Sequence, residues 1–197
     1  SSSGVTRALT LARQLAVGTV VGSGADRVNL VRRLDDLEAL LLRAQRHFTG
    51  VADQKLEVPS GAEWLLDNYY LVQQVIRQVR QDMPAGFYRQ LPVAAEAPFA
   101  GLPRVYVLAS ELISASPIHL DPDAVRRFVL AYQSVTPLTI GELWALPAVL
   151  RLAVLKRLHD AVAALLPLSP DARQAPGTGV RQTNGTELSP VASCILD

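Results

Sequence analysis

A chain of 197 residues is long enough to bury a sizeable apolar core in a single domain or a little more. Its 19 basic and 18 acidic side chains leave a net charge of +1, which makes no long-range field to draw in nucleic acid or anionic lipid. The arginine pairs Arg32-Arg33 and Arg126-Arg127 stand alone on helix surfaces without interleaved aromatics, so no nucleic-acid partner is expected, and the single Cys194 excludes an internal disulfide and a Cys-rich zinc site.

Val5 to Val17 carries helical periodicity, and Gly18, Gly22, Ser23 and Gly24 then interrupt it. Gly22-Ser-Gly24 matches a phosphate loop only by letters, because no Gly-Lys-Ser/Thr follows and no strand precedes. From Ala25 to Phe48, Val28, Val31, Leu34, Leu37, Leu41 and Leu42 form the apolar face of a long helix, with Asp35, Asp36 and Glu38 on its wet side. These two helices are expected to form an antiparallel N-terminal hairpin over 1–50, packing loosely on a core domain over 51–166.

A polar link from Val51 to Pro59 leads into Ser60-Gly-Ala-Glu63, read as a capping box. Trp64, Leu65, Leu71, Val72, Val75, Ile76 and Val79 continue one apolar face to Asp82. Asn68 lies in the same stripe, and a buried amide must be hydrogen-bonded, so it either ties this helix to a neighbour's backbone or opens onto a cavity. Pro84, Gly86, Pro92, Pro98, Gly101 and Pro103 mark an irregular crossing pinned by Phe87, Tyr88 and Phe99. Two helices follow, one with Val105, Leu108, Ala109, Leu112 and Ile113 inward, the other opened by Asp121-Pro122-Asp123 with Val125, Phe128, Val129 and Tyr132 on its apolar side.

Pro137 to Leu158 reads as the pivot on which the other helices pack. Thr139 and Glu142 make a capping box at its start, and Ile140, Leu143, Trp144, Pro147, Leu150, Val154, Leu155 and Leu158 recur at spacings of three and four. A bilayer span needs about 20 apolar residues, and the uncharged run here is much shorter, so a buried core helix is expected, kinked or broken before Pro147. Trp144 is expected in the core and Trp64 partly buried. Pro167 to Pro190 is rich in Gly, Pro, Thr and Ser, which makes 167–197 a linker or ordered tail leading into a longer chain. The fold class is therefore all-α: a bundle of about six to seven helices with an irregular crossing and an extended C-terminal tail.

Chemistry is sparse. Asp121-Pro-Asp123 matches a metal-holding Asp-x-Asp by letters, yet a helix N-cap followed by a first-turn proline explains both carboxylates. His47, His119 and His159 have no partner at ligand spacing. No nucleophile elbow is present, and Asn184-Gly-Thr186 is a glycosylation sequon only by letters. Arg104 and Glu111 share one side of their helix and could form a buried network with Arg151 or Glu142. No catalytic, cofactor-binding or metal-ligating residue is assigned and no cofactor is expected; Trp64, Asn68 and Trp144 are the candidates for a groove between their two helices.

Several blocks in order, Glu63-Trp-Leu-Leu-Asp-Asn-Tyr-Tyr70, Gly86-Phe-Tyr-Arg-Gln-Leu-Pro92, Pro103 to Leu112 and Arg126 to Pro147, resemble the N-terminal region of the bacterial cyclic β-1,2-glucan synthases. The likeness extends over roughly Asp26 to Leu158. It implies a very large inner-membrane parent protein that polymerises glucose from UDP-glucose and ends in a phosphorylase-like part, with this segment a non-catalytic scaffold or regulator on the cytoplasmic side. The segment itself would then be soluble, and its partners would be the remainder of the same polypeptide and β-1,2-glucan. A free-standing helical adaptor that binds a partner helix or a glucan is the alternative.

Overall fold

The computed structural model describes residues 2–18, 21–22, 27–115 and 121–167. Seven helices account for most of them: α1 (Ser2–Gly18), α2 (Leu30–Asp53), α3 (Ser60–Asp82), α4 (Ala85–Tyr88), α5 (Arg104–Ala115), α6 (Pro122–Gln133) and α7 (Ile140–Leu165). The class is all-α, as the periodicity predicts. Two strands of two residues each, β1 (Val21–Gly22) and β2 (Val93–Ala94), pair antiparallel with Val21 opposite Ala94 and Gly22 opposite Val93. Too short to alternate, they leave no strand signal in the sequence. The tail 168–197, with Cys194 and the sequon, lies outside the described residues, as do Ser23, Gly24 and His119.

Side-chain caps set the starts of α2, α6 and α7. The Asn29 side chain accepts from the amides of Val31 and Arg32, which starts α2 later than the apolar pattern suggests. Asp121 accepts from the Asp123 amide with Pro122 in the first turn of α6, and Thr139 with Glu142 closes a full capping box on α7. The capping box expected at Ser60 and Glu63 does not form. Pro59 is the N-cap of α3, and its carbonyl accepts from the amides of Ala62 and Glu63. Nor is α7 broken at Pro147: the helix runs through it, at the cost of the amide that would have bonded the Leu143 carbonyl.

α7 packs against α5, α3 and α2, so the segment read as the pivot does occupy the centre. α2 and α3 form the antiparallel pair, held at one end by Arg80, which reaches Asp35 at 2.7 Å and Glu38 at 2.5 Å. α1 packs instead on α6 and α5, and Thr136 Oγ1 donates to the Ala16 carbonyl at 2.9 Å. The two N-terminal helices therefore do not make the expected hairpin. α5 separates two apolar clusters. Val105, Ala109 and Ile113 face α2, α3 and α7, whereas Leu108 and Leu112 face α1 and α6 through Ala12, Ala16, Phe128 and Tyr132.

The crossing from α3 to α5 is pinned by backbone bonds as well as by aromatics. Ala94 N donates to the Leu102 carbonyl at 2.8 Å, Gly101 N to Ala94 at 2.9 Å, and Val28 N, just before α2, to Gly101 at 3.0 Å. Gly101 has φ of 79°, a left-handed conformation that glycine adopts without steric cost. Tyr88 is buried beneath this turn and meets Phe87 edge to face.

Candidate interaction face on α7

Arg104, the first residue of α5, lies against Glu142 in the first turn of α7, and both are buried. The Arg104 Nε donates to Glu142 Oε1 at 2.8 Å and Nη2 to Oε2 at 2.5 Å, a two-point fork, while Nη2 also reaches the Pro137 carbonyl at 3.1 Å. The same carboxylate accepts from the Thr139 amide and hydroxyl. The hydrogen bond to Glu142 holds the Arg104 guanidinium above its ordinary range even though burial opposes its charge. The Tyr132 ring sits 6.0 Å from the guanidinium carbon, and burial pushes the Tyr132 phenol up. Of the network expected around Arg104, Glu142 is the true partner; Arg151 bonds Asp82 at 2.9 Å instead.

This ion pair fixes the rotation of α7. With Glu142 inward, Ala145, Ala148, Val149 and Leu152 follow it into the core at helical spacing. The positions opposite them must then face out. Ile140 is 75% exposed and Trp144 78%, with Leu143 and Pro147 exposed beside them. Trp144 is therefore not a core residue, contrary to the expectation from its uncharged surroundings: α7 is apolar nearly all round before Pro147, so periodicity alone does not choose the buried side, and a buried carboxylate does.

The two tryptophans do not share a groove. Asp82 at the end of α3 meets Arg151, and beyond it Phe87 and Leu91 lie close to Gly141, so α3 runs antiparallel to α7. Counting ~1.5 Å per helical residue puts Trp64 and Trp144 roughly 35 Å apart along the bundle. Trp64 is partly buried against the core at the far end, as expected. Asn68 Nδ2 donates to the Trp64 carbonyl at 2.9 Å, a bond within its own helix, so it neither ties α3 to a neighbour nor opens a cavity. The sequence reading missed Glu142 as the group that orients α7; the signal was a capping-box carboxylate with an arginine directly after Pro103.

Among the described residues no group of three His, Cys, Asp or Glu side chains could hold a metal ion, and no helix is long and apolar enough to cross a membrane. What remains is a bare apolar stripe, Ile140, Leu143, Trp144 and Pro147, rigidly presented and free of charge. Such a face suits binding and carries no group for acid, base or nucleophilic work.

No protein-family model matches the chain. It is 34% identical over 122 residues to the cyclic beta-(1,2)-glucan synthase NdvB of Rhizobium meliloti (strain 1021), a match that takes in 62% of this chain and 4% of that protein. This chain is similar to a short part of a cyclic β-1,2-glucan synthase. The resemblance read from the ordered blocks is thereby borne out, and the chain spans only a small fraction of the length of the NdvB relative.

Proposed function

We propose that this chain is a non-catalytic helical region of a cyclic β-1,2-glucan synthase, placed toward the N-terminus on the cytoplasmic side of the bacterial inner membrane, and that its α7 face docks on another part of the same polypeptide. The exposed stripe of Ile140, Leu143, Trp144 and Pro147 carries this reading. Apolar residues scattered singly on a surface need no explanation, but four at consecutive helical positions on one side, two of them three-quarters exposed, are the mark of a contact surface. NdvB is a much longer protein, which offers surfaces for such a face to meet. The test is a full-length synthase carrying this region with Ile140→Ser and Trp144→Ser. Faster proteolytic release of the region and lower glucan output are expected, with an unchanged melt of the isolated chain; an unchanged digestion pattern and output would reject docking through α7.

A second reading rests on Trp144 alone, since an open indole face can stack on a glucose ring. Titration of the chain with β-1,2-glucan oligosaccharides separates the two. Saturable quenching of Trp144 fluorescence favours a glucan-binding adaptor, and no quenching leaves docking as the better account.

A further inference from the structure

A cavity of about 410 Å³ lies between the start of α2 and the turn that carries β2. It is lined by Arg27, Asn29, Tyr88 and Arg89 and by apolar walls that include Val28, Val31 and Val93. No acidic side chain is among the described lining residues. Arg27 spends one donor on the Leu91 carbonyl at 2.9 Å, and Arg89 is exposed, its backbone amide donating to the Phe87 carbonyl while its guanidinium has no partner among the described residues. Each guanidinium has five N–H donors, so most of the donor capacity at the cavity is unused. Asn29 already caps the Val31 and Arg32 amides, so the free donors are those of the arginines and not of the helix end.

Tyr88 forms part of the cavity wall and is only 8% exposed. Its hydroxyl is out of reach of solvent and has no hydrogen-bond partner among the described residues, so the ring and not the hydroxyl borders the cavity. Burial, with the Asp82 charge adding to it, pushes the phenol up.

We infer that this cavity binds a small molecule that presents one oxyanion, a phosphate or a carboxylate, on an apolar body. Arg27 and Arg89 would grip the oxyanion by charge-assisted bonds, and Val28, Val31, Val93 and the Tyr88 ring would cover the apolar part. The cavity volume is at the small end of the range for ligand pockets, roughly 300 to 1,000 Å³, which suits a single ring or a short acyl body. This site is independent of the α7 face and of the docking it is proposed to mediate.

The test is titration of the isotope-labelled full chain with phenyl phosphate and with benzoate, inorganic phosphate serving as the arm without an apolar body. The amides of Val28, Asn29, Val31 and Val93 should shift saturably with a Kd of about 1 mM or tighter for one of the two aromatic anions, and the tighter one identifies the oxyanion. Inorganic phosphate should bind several-fold more weakly. Arg89→Gln, at an exposed side chain without a partner, should melt like the parent and bind about tenfold more weakly. Tyr88→Phe should melt at or above the parent temperature and bind like the parent, since the hydroxyl does not reach the cavity. The inference is overturned if neither anion produces saturable shifts at those amides, or if Arg89→Gln titrates like the parent.

Discussion

Before Pro147, α7 turns Ile140, Leu143 and Trp144 to solvent and buries a carboxylate, whereas after Arg151 the same line of positions, continued at spacings of three and four through Val154, Leu158 and Val162, is enclosed. The boundary is where a neighbour stops. Asp82 is the last residue of α3 and bonds Arg151; Pro84 then ends the helix, and the chain beyond it meets α7 beside Gly141 and not over the Ile140–Trp144 stripe. α3 therefore lies along the second half of α7 and leaves the first half bare on that side. Burial along a helix is thus set by the length of the elements beside it as much as by its own apolar content. The half without a full set of neighbours takes its orientation from Arg104 and Glu142.

The largest effect is expected from breaking that pair. Glu142→Ala leaves the Arg104 charge buried with the Pro137 carbonyl and the Tyr132 ring beside it but no anion, and loss of one partner of a buried pair costs about 3 to 5 kcal/mol. The double variant Arg104→Met with Glu142→Leu should recover most of this, because a well-packed apolar pair is close to neutral against a buried ion pair. Chemical denaturation of the three proteins measures it. If Glu142→Ala unfolds like the parent, another contact orients α7.

The next effect falls in the enclosed half. Leu155 is fully buried, and Leu155→Ala should cost about 2 to 5 kcal/mol through lost transfer energy and the cavity left behind. Trp144→Ala removes a far larger side chain, yet it should change stability by no more than about 0.5 kcal/mol, since surface substitutions away from special features rarely do more. Thermal or denaturant melts of the two variants together test the comparison between the halves: equal losses would mean that Trp144 is packed and the exposed stripe is not real.

These two residues also show what the sequence could and could not say. The all-α class, the Asp121 cap and the Thr139 capping box follow from local rules, because each needs only residues three or four apart. The buried side of α7 depends on Arg104, 38 residues away, and no periodicity carries that information. Leu155 was placed correctly because its half of the helix is covered on nearly every side. Trp144 was misplaced because an uncharged segment looks like core whichever way it turns. The cavity residues Arg27, Tyr88 and Arg89 were illegible for the same reason: they meet only once the crossing folds back on the start of α2.

The smallest expected effect is at the far end of α7, where Asp160 accepts from Lys156 and from His159. Burial alone would raise its pKa, but the bonds from Lys156 and His159 outweigh that and the net direction is down. A carboxylate held below its unfolded value adds stability that is present above that value and is lost as pH falls through the folded one. The loss should therefore set in as pH falls through the ordinary carboxylate range and continue below it, and it should be modest because the pair is half exposed and screened. Asp160→Asn should flatten this part of the stability profile without moving the Trp144 emission, which reports on the bare end of the helix. A profile for Asp160→Asn that still falls as steeply as the parent's would assign the acid sensitivity to another carboxylate, and an emission change at Trp144 would show that the two halves of α7 do not respond independently.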